Sequence, residues 1–227
     1  MSDALPVEDS LALRRQVIAT ALAMNGAGIN VNTSGNVSAR CRRGAQDGML
    51  ITPTGVAYDA LTPDALVFVR LADGAPTGRL APSSEWRFHR DILAGRAEID
   101  AIVHTHSPAA TALACHGSGI PAFHYMVATA GGTDIRCAPY ATFGTQELSD
   151  HALKALEGRR ACLLAHHGVI ACGPSLDAAL ALAIEIEQLA RIYLQARVIG
   201  EPPRLPDAEM QRVLEKFSRY GQPQRGR

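Results

Sequence analysis

His104-Thr105-His106 closes the apolar run Ala101-Ile102-Val103 in this chain of 227 residues. Residues two apart in a strand share a face. The spacing therefore sets two imidazoles side by side where a buried strand meets a loop, which is half of a transition-metal site. A second apolar run, Ala161-Cys162-Leu163-Leu164-Ala165, ends in His166-His167-Gly168 and can deliver a third nitrogen. Three protein ligands with one open position is the arrangement of catalytic zinc, whereas structural sites close with four ligands and favour cysteine. The competing reading, histidines that merely hydrogen-bond their loops, suits any one of them better than it suits the repeated pattern.

Glu85, within Pro82-Ser83-Ser84-Glu85-Trp86, is the carboxylate that could join them. It is expected in the first turn of a helix opened by Ser83-Ser84, where an acid favours the macrodipole and Ser-Ser-Glu is ordinary capping chemistry. Beside a Lewis-acidic ion the same group can ligate, or shuttle a proton from carbon. Three turns of small polar residues, Ser34-Gly35-Asn36, Thr52-Pro53-Thr54-Gly55 and Ser83-Ser84, read as an anion cradle. Glycine allows close backbone approach, while hydroxyls, an amide and a helix N-terminus donate hydrogen bonds. Neither a P-loop nor a GxGxxG pattern is present. His124-Tyr125 offers either a proton donor or a hydroxyl that anchors the core. His89, His116 and His151 read as core-satisfied or surface groups, and Gly131-Gly132-Thr133-Asp134 as a turn.

These groups need elements to hold them. Asp9 and Ser10 can cap a helix carrying Leu11, Ile18 and Leu22, ended by Gly26 and Gly28. Strand-like runs follow at Asn36 to Arg40, Met49 to Thr52 and Leu66 to Leu71. The Trp86 helix, with Phe88, Ile92 and Leu93, stops near Gly95. After the His104 strand come a helix from Ser107 to Cys115, a β-rich stretch through Tyr125 and Ile135, and a helix from Thr145 to Leu156. A strand then ends at His167. A long helix from Ser175 to Val198 carries Leu176, Leu180, Ile184 and Tyr193, and a last helix covers Asp207 to Ser218. Strands first and interleaved helices later imply an α/β sandwich with a mixed or antiparallel central sheet flanked by helices. One domain over 1–227 is expected, with a flexible start at 1–9 and a C-terminal helix and tail at 207–227.

Lys+Arg and Asp+Glu balance at 22 each, so charge supplies no case for nucleic acid or an anionic membrane. No apolar stretch reaches membrane-spanning length, and the acidic start carries no basic signal region. Five cysteines without a CxxC read as small buried hydrophobes in a reducing, cytoplasmic setting.

Taken together, these residues resemble the class II aldolase family. The matching stretches are Gly35-Asn36-Val37-Ser38, Leu50-Ile51-Thr52-Pro53-Thr54-Gly55, Pro82-Ser83-Ser84-Glu85-Trp86-Arg87-Phe88-His89 and Val103-His104-Thr105-His106. They continue with Ile120 to Met126, Cys137 to Thr145, His166-His167-Gly168 and Val213 to Gly221, so the likeness spans nearly the whole chain after residue 10. The resemblance implies Zn2+, with Mn2+ or Co2+ as alternatives, held by His104, His106 and His167, with Glu85 as a fourth ligand able to leave and act as base. It also implies phosphate binding by Asn36, Thr54, Gly55, Ser83 and Ser84, and a general acid in Tyr125. Phe143 would wall the aldehyde pocket and Tyr220 would reach the site from the C-terminus. A homotetramer is implied, with active sites between subunits and Tyr125 and Tyr220 supplied by the neighbour.

The activity implied is reversible aldol cleavage of a ketose 1-phosphate, such as L-fuculose 1-phosphate, to dihydroxyacetone phosphate and an aldehyde such as L-lactaldehyde. Alternatives are a deoxyketose or methylthioribulose phosphate aldolase, a dehydratase, or a pentulose-phosphate 4-epimerase. Epimerase siblings typically carry Ser-Ser-Asp where this chain has Ser83-Ser84-Glu85, which favours the aldolase branch. Non-catalytic adducin-like modules of the family lack the full histidine set.

Overall fold

The computed structural model describes residues 7–219. Helix α1 (Leu11–Gly26) leads into strands β1 (Asn36–Arg43), β2 (Gln46–Ile51), β3 (Val67–Arg70) and the short β4 (Pro76–Thr77). Then come α2 (Trp86–Gly95), β5 (Ala101–Thr105), α3 (Pro108–Cys115), β6 (Cys137–Ala138) and α4 (Gln146–Ala155). Strands β7 (Ala161–Leu164) and β8 (Gly168–Gly173) precede α5 (Leu176–Ile199) and α6 (Asp207–Ser218). One eight-stranded sheet runs in the order β4-β3-β2-β1-β5-β8-β7-β6. Its pairs are antiparallel, except that β6 and β7 run parallel. This is the mixed α/β sandwich that the sequence pattern implies.

Alternation along the central strands divides the core into two layers. Ala101 and Val103 of β5, with Val169 and Ala171 of β8, join the layer that includes Val17 of α1, Leu113 of α3 and Ile186 of α5. Ile102, Ile170 and Cys172 point the other way, among Phe88 and Ile92 of α2 and Leu148 and Ala152 of α4. Fully burying one Ile or Leu in either layer contributes about 1.5–3 kcal/mol. The period of two has a consequence for the site. His104 follows Ile102 by two residues, so its ring lies on the face that α2 covers.

Caps fix where the helices begin. The side chains of Ser10, Thr145 and Ser175 accept from the backbone N–H groups of Leu13, Leu148 and Ala178. Helix α3 is closed differently, since Ser107 makes no capping bond. The buried carboxylate of Glu187 on α5 accepts from the N–H groups of Ala109 and Ala110, each at 3.0 Å, and pairs with Arg191 at 2.9 Å. A charge is thereby compensated inside the core by a helix N-terminus and a guanidinium.

Several local expectations are corrected. The stretch through Tyr125 is a 3-10 helix, Tyr125–Ala130, leaving only an isolated bridge between Ile120 and Ile135. His124 Nδ1 accepts from Met126 N at its start, and Gly131 ends it at φ 90°. The buried stripe of α1 is Leu13, Val17, Ala21 and Met24, while Leu11 and Leu22 are exposed. In α5, Leu182, Ala183 and Ile186 are buried whereas Ile184 is exposed. Val7 to Asp9 are tied down: Glu8 bridges to Arg42, and Asp9 pairs with Arg14 and Arg43. The strand expected to end at His167 ends at Leu164, and β8, which carries the bond back to β5, begins at Gly168. Among the described residues no helix is long and apolar enough to cross a membrane.

Candidate metal centre

The two outer histidine motifs meet because β8 lies beside β5, with His104 opposite Ile170. His166 and His167 occupy the tight connection between β7 and β8, so they sit in a turn and do not alternate across a strand. His166 adopts φ 56°, a left-handed conformation uncommon for a residue with a Cβ. Gly168 follows because a Cβ there would lie 2.3 Å from Thr105 O and 3.0 Å from the His106 ring. The turn is thus pressed against the end of β5, and His167 is delivered beside the His104–His106 pair.

Glu85 arrives from above. It is the N-cap residue of α2, one position before the helix proper and not inside its first turn, and its carboxylate makes no capping bond. Glu85 N instead donates to Ser83 Oγ, leaving the side chain free to point down at the sheet. The ligand atoms of Glu85, His104, His106 and His167 all lie within 4.8 Å of one another. The three imidazole planes stand at 77°, 77° and 83° to each other, with centroids 4.9–5.0 Å apart.

Hydrogen bonding shows what these atoms are prepared for. His104 Nδ1 lies 2.9 Å from the Val169 carbonyl, which can only accept, so Nδ1 carries the hydrogen. In the neutral ring Nε2 then presents a lone pair, as metal-binding histidines do. That lone pair faces His106 Nε2 and Glu85 Oε2, each 3.1 Å away. Glu85 Oε1 lies 3.1 Å from His167 Nε2, yet has no hydrogen-bond partner among the described residues although it is buried. A buried carboxylate beside the His104 lone pair, with the ring nitrogens of His106 and His167 each 3.1 Å from one of them, is an arrangement that a cation would satisfy. The donor set of three nitrogens and one oxygen fits a zinc-like ion.

The electrostatics agree. Burial of Glu85 works to raise its pKa, but the neighbouring imidazoles of His104 and then His167 outweigh it and hold the carboxyl far below its usual range. Burial, followed by the neighbouring His104 and His167, pushes His106 down to about 4. At neutral pH the acid is ionised and this ring is neutral, the states that metal ligands require.

Around this cluster the expected anion cradle is partly assembled. Ser83 N donates to Thr52 O at 3.0 Å and Thr54 N to Ala81 O at 3.2 Å, so the Thr52–Gly55 turn lies along the approach to α2. Ser83 is buried, whereas Ser84, Thr54 and Gly55 are exposed. The Phe143–Gly144 segment is clamped on the same spot. Arg87 donates to Gly144 O at 2.7 Å, and a Cβ at Gly144 would lie 2.7 Å from Ser84 O. Phe143 itself is 64% exposed. Asn36 turns inward: its Nδ2 donates to Glu85 Oε2 at 3.1 Å and its Oδ1 faces His89.

Tyr125 is not brought to the cluster by its own chain. It is 49% exposed, and its ring lies against His124 and Phe217, with centroids 4.9 and 6.4 Å away. Tyr220 lies outside the described residues. Two groups against the site drew no role from the sequence. His89 is wholly buried behind Asn36, and Ser38 Oγ is 2.7 Å from its Nδ1. Their signal was present: His89 is four residues beyond Glu85 on α2, and Ser38 two beyond Asn36 on β1.

A mixed sheet carrying three imidazoles and a carboxylate in one partly buried cluster defines an α/β protein with a candidate metal centre. The family model described as "Class II Aldolase and Adducin N-terminal domain" matches residues 15–194. The 5-methylthioribulose-1-phosphate/5-deoxyribulose-1-phosphate aldolase of Rhodospirillum rubrum is 56% identical over 211 residues, covering 93% of each chain. The L-fuculose phosphate aldolase of Escherichia coli (strain K12) is 51% identical over 210 residues, 92% of this chain and 95% of that one. A solved L-fuculose 1-phosphate aldolase superposes with TM-score 0.87 at 40% identity, covering 92% of this chain and 97% of its own. The chain therefore belongs to the class II aldolase family, and it is a metal-dependent aldehyde-lyase.

Proposed function

We propose that this enzyme reversibly cleaves a ketose 1-phosphate to dihydroxyacetone phosphate and a short aldehyde, using Zn2+ held by His104, His106, His167 and Glu85. The observation that carries the reading is the buried Glu85 carboxylate set among three imidazoles, with one ligand atom from each of the four residues within 4.8 Å of the others. A divalent ion there supplies positive charge against which negative charge on substrate oxygen can develop. The protein residues do the rest. In the condensation direction Glu85 takes a proton from the hydroxymethyl carbon of dihydroxyacetone phosphate, and that carbon bonds to the aldehyde carbon. Tyr125 then donates its phenolic proton to the new alkoxide. Cleavage runs the same steps backwards.

Thr54, Gly55, Ser83 and Ser84, with the remaining amide hydrogen of Asn36, are assigned to the phosphate. Neutral donors suit a chain of zero net charge. Tyr125 is half-exposed and rests on His124 and Phe217, so it is assigned to a neighbouring copy's site in a homotetramer, with Tyr220 completing the pocket beside Phe143. The cell compartment assigned is the cytoplasm, in keeping with five unpaired cysteines.

The relatives' names divide between fuculose phosphate and the methylthioribulose and deoxyribulose phosphates, and the 56% likeness favours the latter pair. L-Fuculose 1-phosphate yields L-lactaldehyde, 5-deoxyribulose 1-phosphate yields acetaldehyde, and the methylthio compound yields methylthioacetaldehyde. All share the phosphate half, so dihydroxyacetone phosphate is common to every branch. Assay of the zinc-loaded enzyme with each ketose phosphate tests this directly. Dihydroxyacetone phosphate should be released from at least one, a chelator should abolish the activity, and borohydride with dihydroxyacetone phosphate should leave it intact. Chelator-insensitive cleavage, or none, overturns the reading.

A further inference from the structure

We infer that His89 and Ser38 are positioning residues for Glu85: acting through Asn36, they fix carboxylate oxygen Oε2 and leave Oε1 as the atom that takes the proton. This deepens the reading above, and rests on it only for the source of that proton.

Glu85 Oε2 is 3.1 Å from the Asn36 amide, and an amide oxygen there would set two acceptors together, so Nδ2 must face it. Asn36 Oδ1 is then turned to His89 Nε2 at 2.5 Å, and that nitrogen must carry a hydrogen. In the neutral ring Nδ1 becomes an acceptor, and Ser38 Oγ, 2.7 Å away, donates to it. Every donor in the series points towards Glu85: Ser38 to His89, His89 to Asn36, Asn36 to Oε2. Ser38 and His89 are completely buried, and Asn36 and Glu85 nearly so. Such chains polarise one another in a low dielectric. The series keeps Oε2 engaged with Asn36, whereas Oε1 is buried 3.1 Å from His167 Nε2 and accepts no hydrogen bond among the described residues.

Three variants and three readouts test the inference. In the metal-free chain, 15N NMR should find the His89 ring protonated at Nε2 and bare at Nδ1. His89→Phe keeps a ring to stack on Phe88, 4.7 Å away, but removes both hydrogen bonds. It should lower kcat by about 10–100-fold, with KM changed by less than about twofold. The visible spectrum of its Co2+-loaded form should also shift, because the carboxylate is no longer held. His89→Gln, which restores a donor towards Asn36, should recover part of kcat, and Ser38→Ala should lose less than His89→Phe. If His89→Phe does not fold, Ser38→Ala carries the kcat and spectral comparison. A ring protonated at Nδ1, or a folded variant with unchanged kcat and Co2+ spectrum, overturns the inference. If the wild type cleaves no ketose phosphate, the proposed function falls, while the tautomer and the Co2+ spectrum still decide the positioning role.

Discussion

The surroundings of Glu85 and those of Tyr125 differ in almost every physical respect. Glu85 is 4% exposed, held through Asn36, and ringed by three imidazoles supplied by β5, the residue just past its end and the β7–β8 turn. Tyr125 is 49% exposed, opens a single short 3-10 helix, and rests on aromatic neighbours at the edge of α6. The first region is complete within one chain, and its order follows from two core layers packed on rigid strands. The second is an apolar hollow of about 590 Å³ lined by Phe123, Tyr125, Val213 and Phe217, among others, and open to whatever covers it. One half of the chemistry is thus built by the fold, and the other half is assigned to assembly.

The contrast is sharpened by removing one group from each side. Glu85→Gln should retain metal yet slow carbon–hydrogen exchange of dihydroxyacetone phosphate by about 10²–10⁴-fold, as loss of a general base does. Tritium or deuterium exchange measures it, and unchanged exchange removes Glu85 from the chemistry. Tyr125→Phe should lower aldol turnover by about 10²-fold while leaving that exchange and the melting temperature in place. Mixing the two inactive variants and allowing subunits to exchange should restore activity if Tyr125 serves a neighbour's site. No recovery in mixed assemblies would return Tyr125 to its own chain. Ser84→Ala should raise KM for the phosphorylated substrate by about tenfold, one hydrogen bond to a charged group, without altering kcat.

The smallest effect expected is that of acid on the metal-free protein. His89 is pushed down to about 3 and His106 to about 4, chiefly by burial. Between these values and the ordinary 6.5, the unfolded chain binds protons that the folded chain refuses, so stability rises with pH across that window. The melting temperature should therefore fall as pH drops from about 6.5 towards 4. His89→Phe should flatten part of that fall, and an identical pH profile would contradict the assignment.

Much of this was legible in residues whose spacing encodes a face. His104 and His106 declare themselves because a strand has period two and the preceding run is wholly apolar. The Thr52–Gly55 turn follows from turn chemistry, whereas helix chemistry alone reads Glu85 as an ordinary capping acid and the family resemblance sets it beside the histidines. For the third candidate ligand, the resemblance picks His167 from the His166-His167 pair, and its setting was not legible: His167 comes from a turn, since Gly168 must approach Thr105 O too closely for any side chain. The Tyr125 segment misled because Tyr-Met-Val-Ala-Thr-Ala is apolar without a decisive period, and a His124 cap with Gly131 closed it as a helical turn. The face of α1 was masked by small residues. Ala21 and Thr20 are buried while the larger Leu11 and Leu22 are exposed.

The most direct test is divalent-metal stoichiometry, measured by elemental analysis after dialysis for the wild type and for His104→Ala, His106→Ala and His167→Ala. One ion per wild-type chain is expected, and loss of that ion in each folded variant. Full occupancy after removal of any one ring would show that these imidazoles do not share an ion.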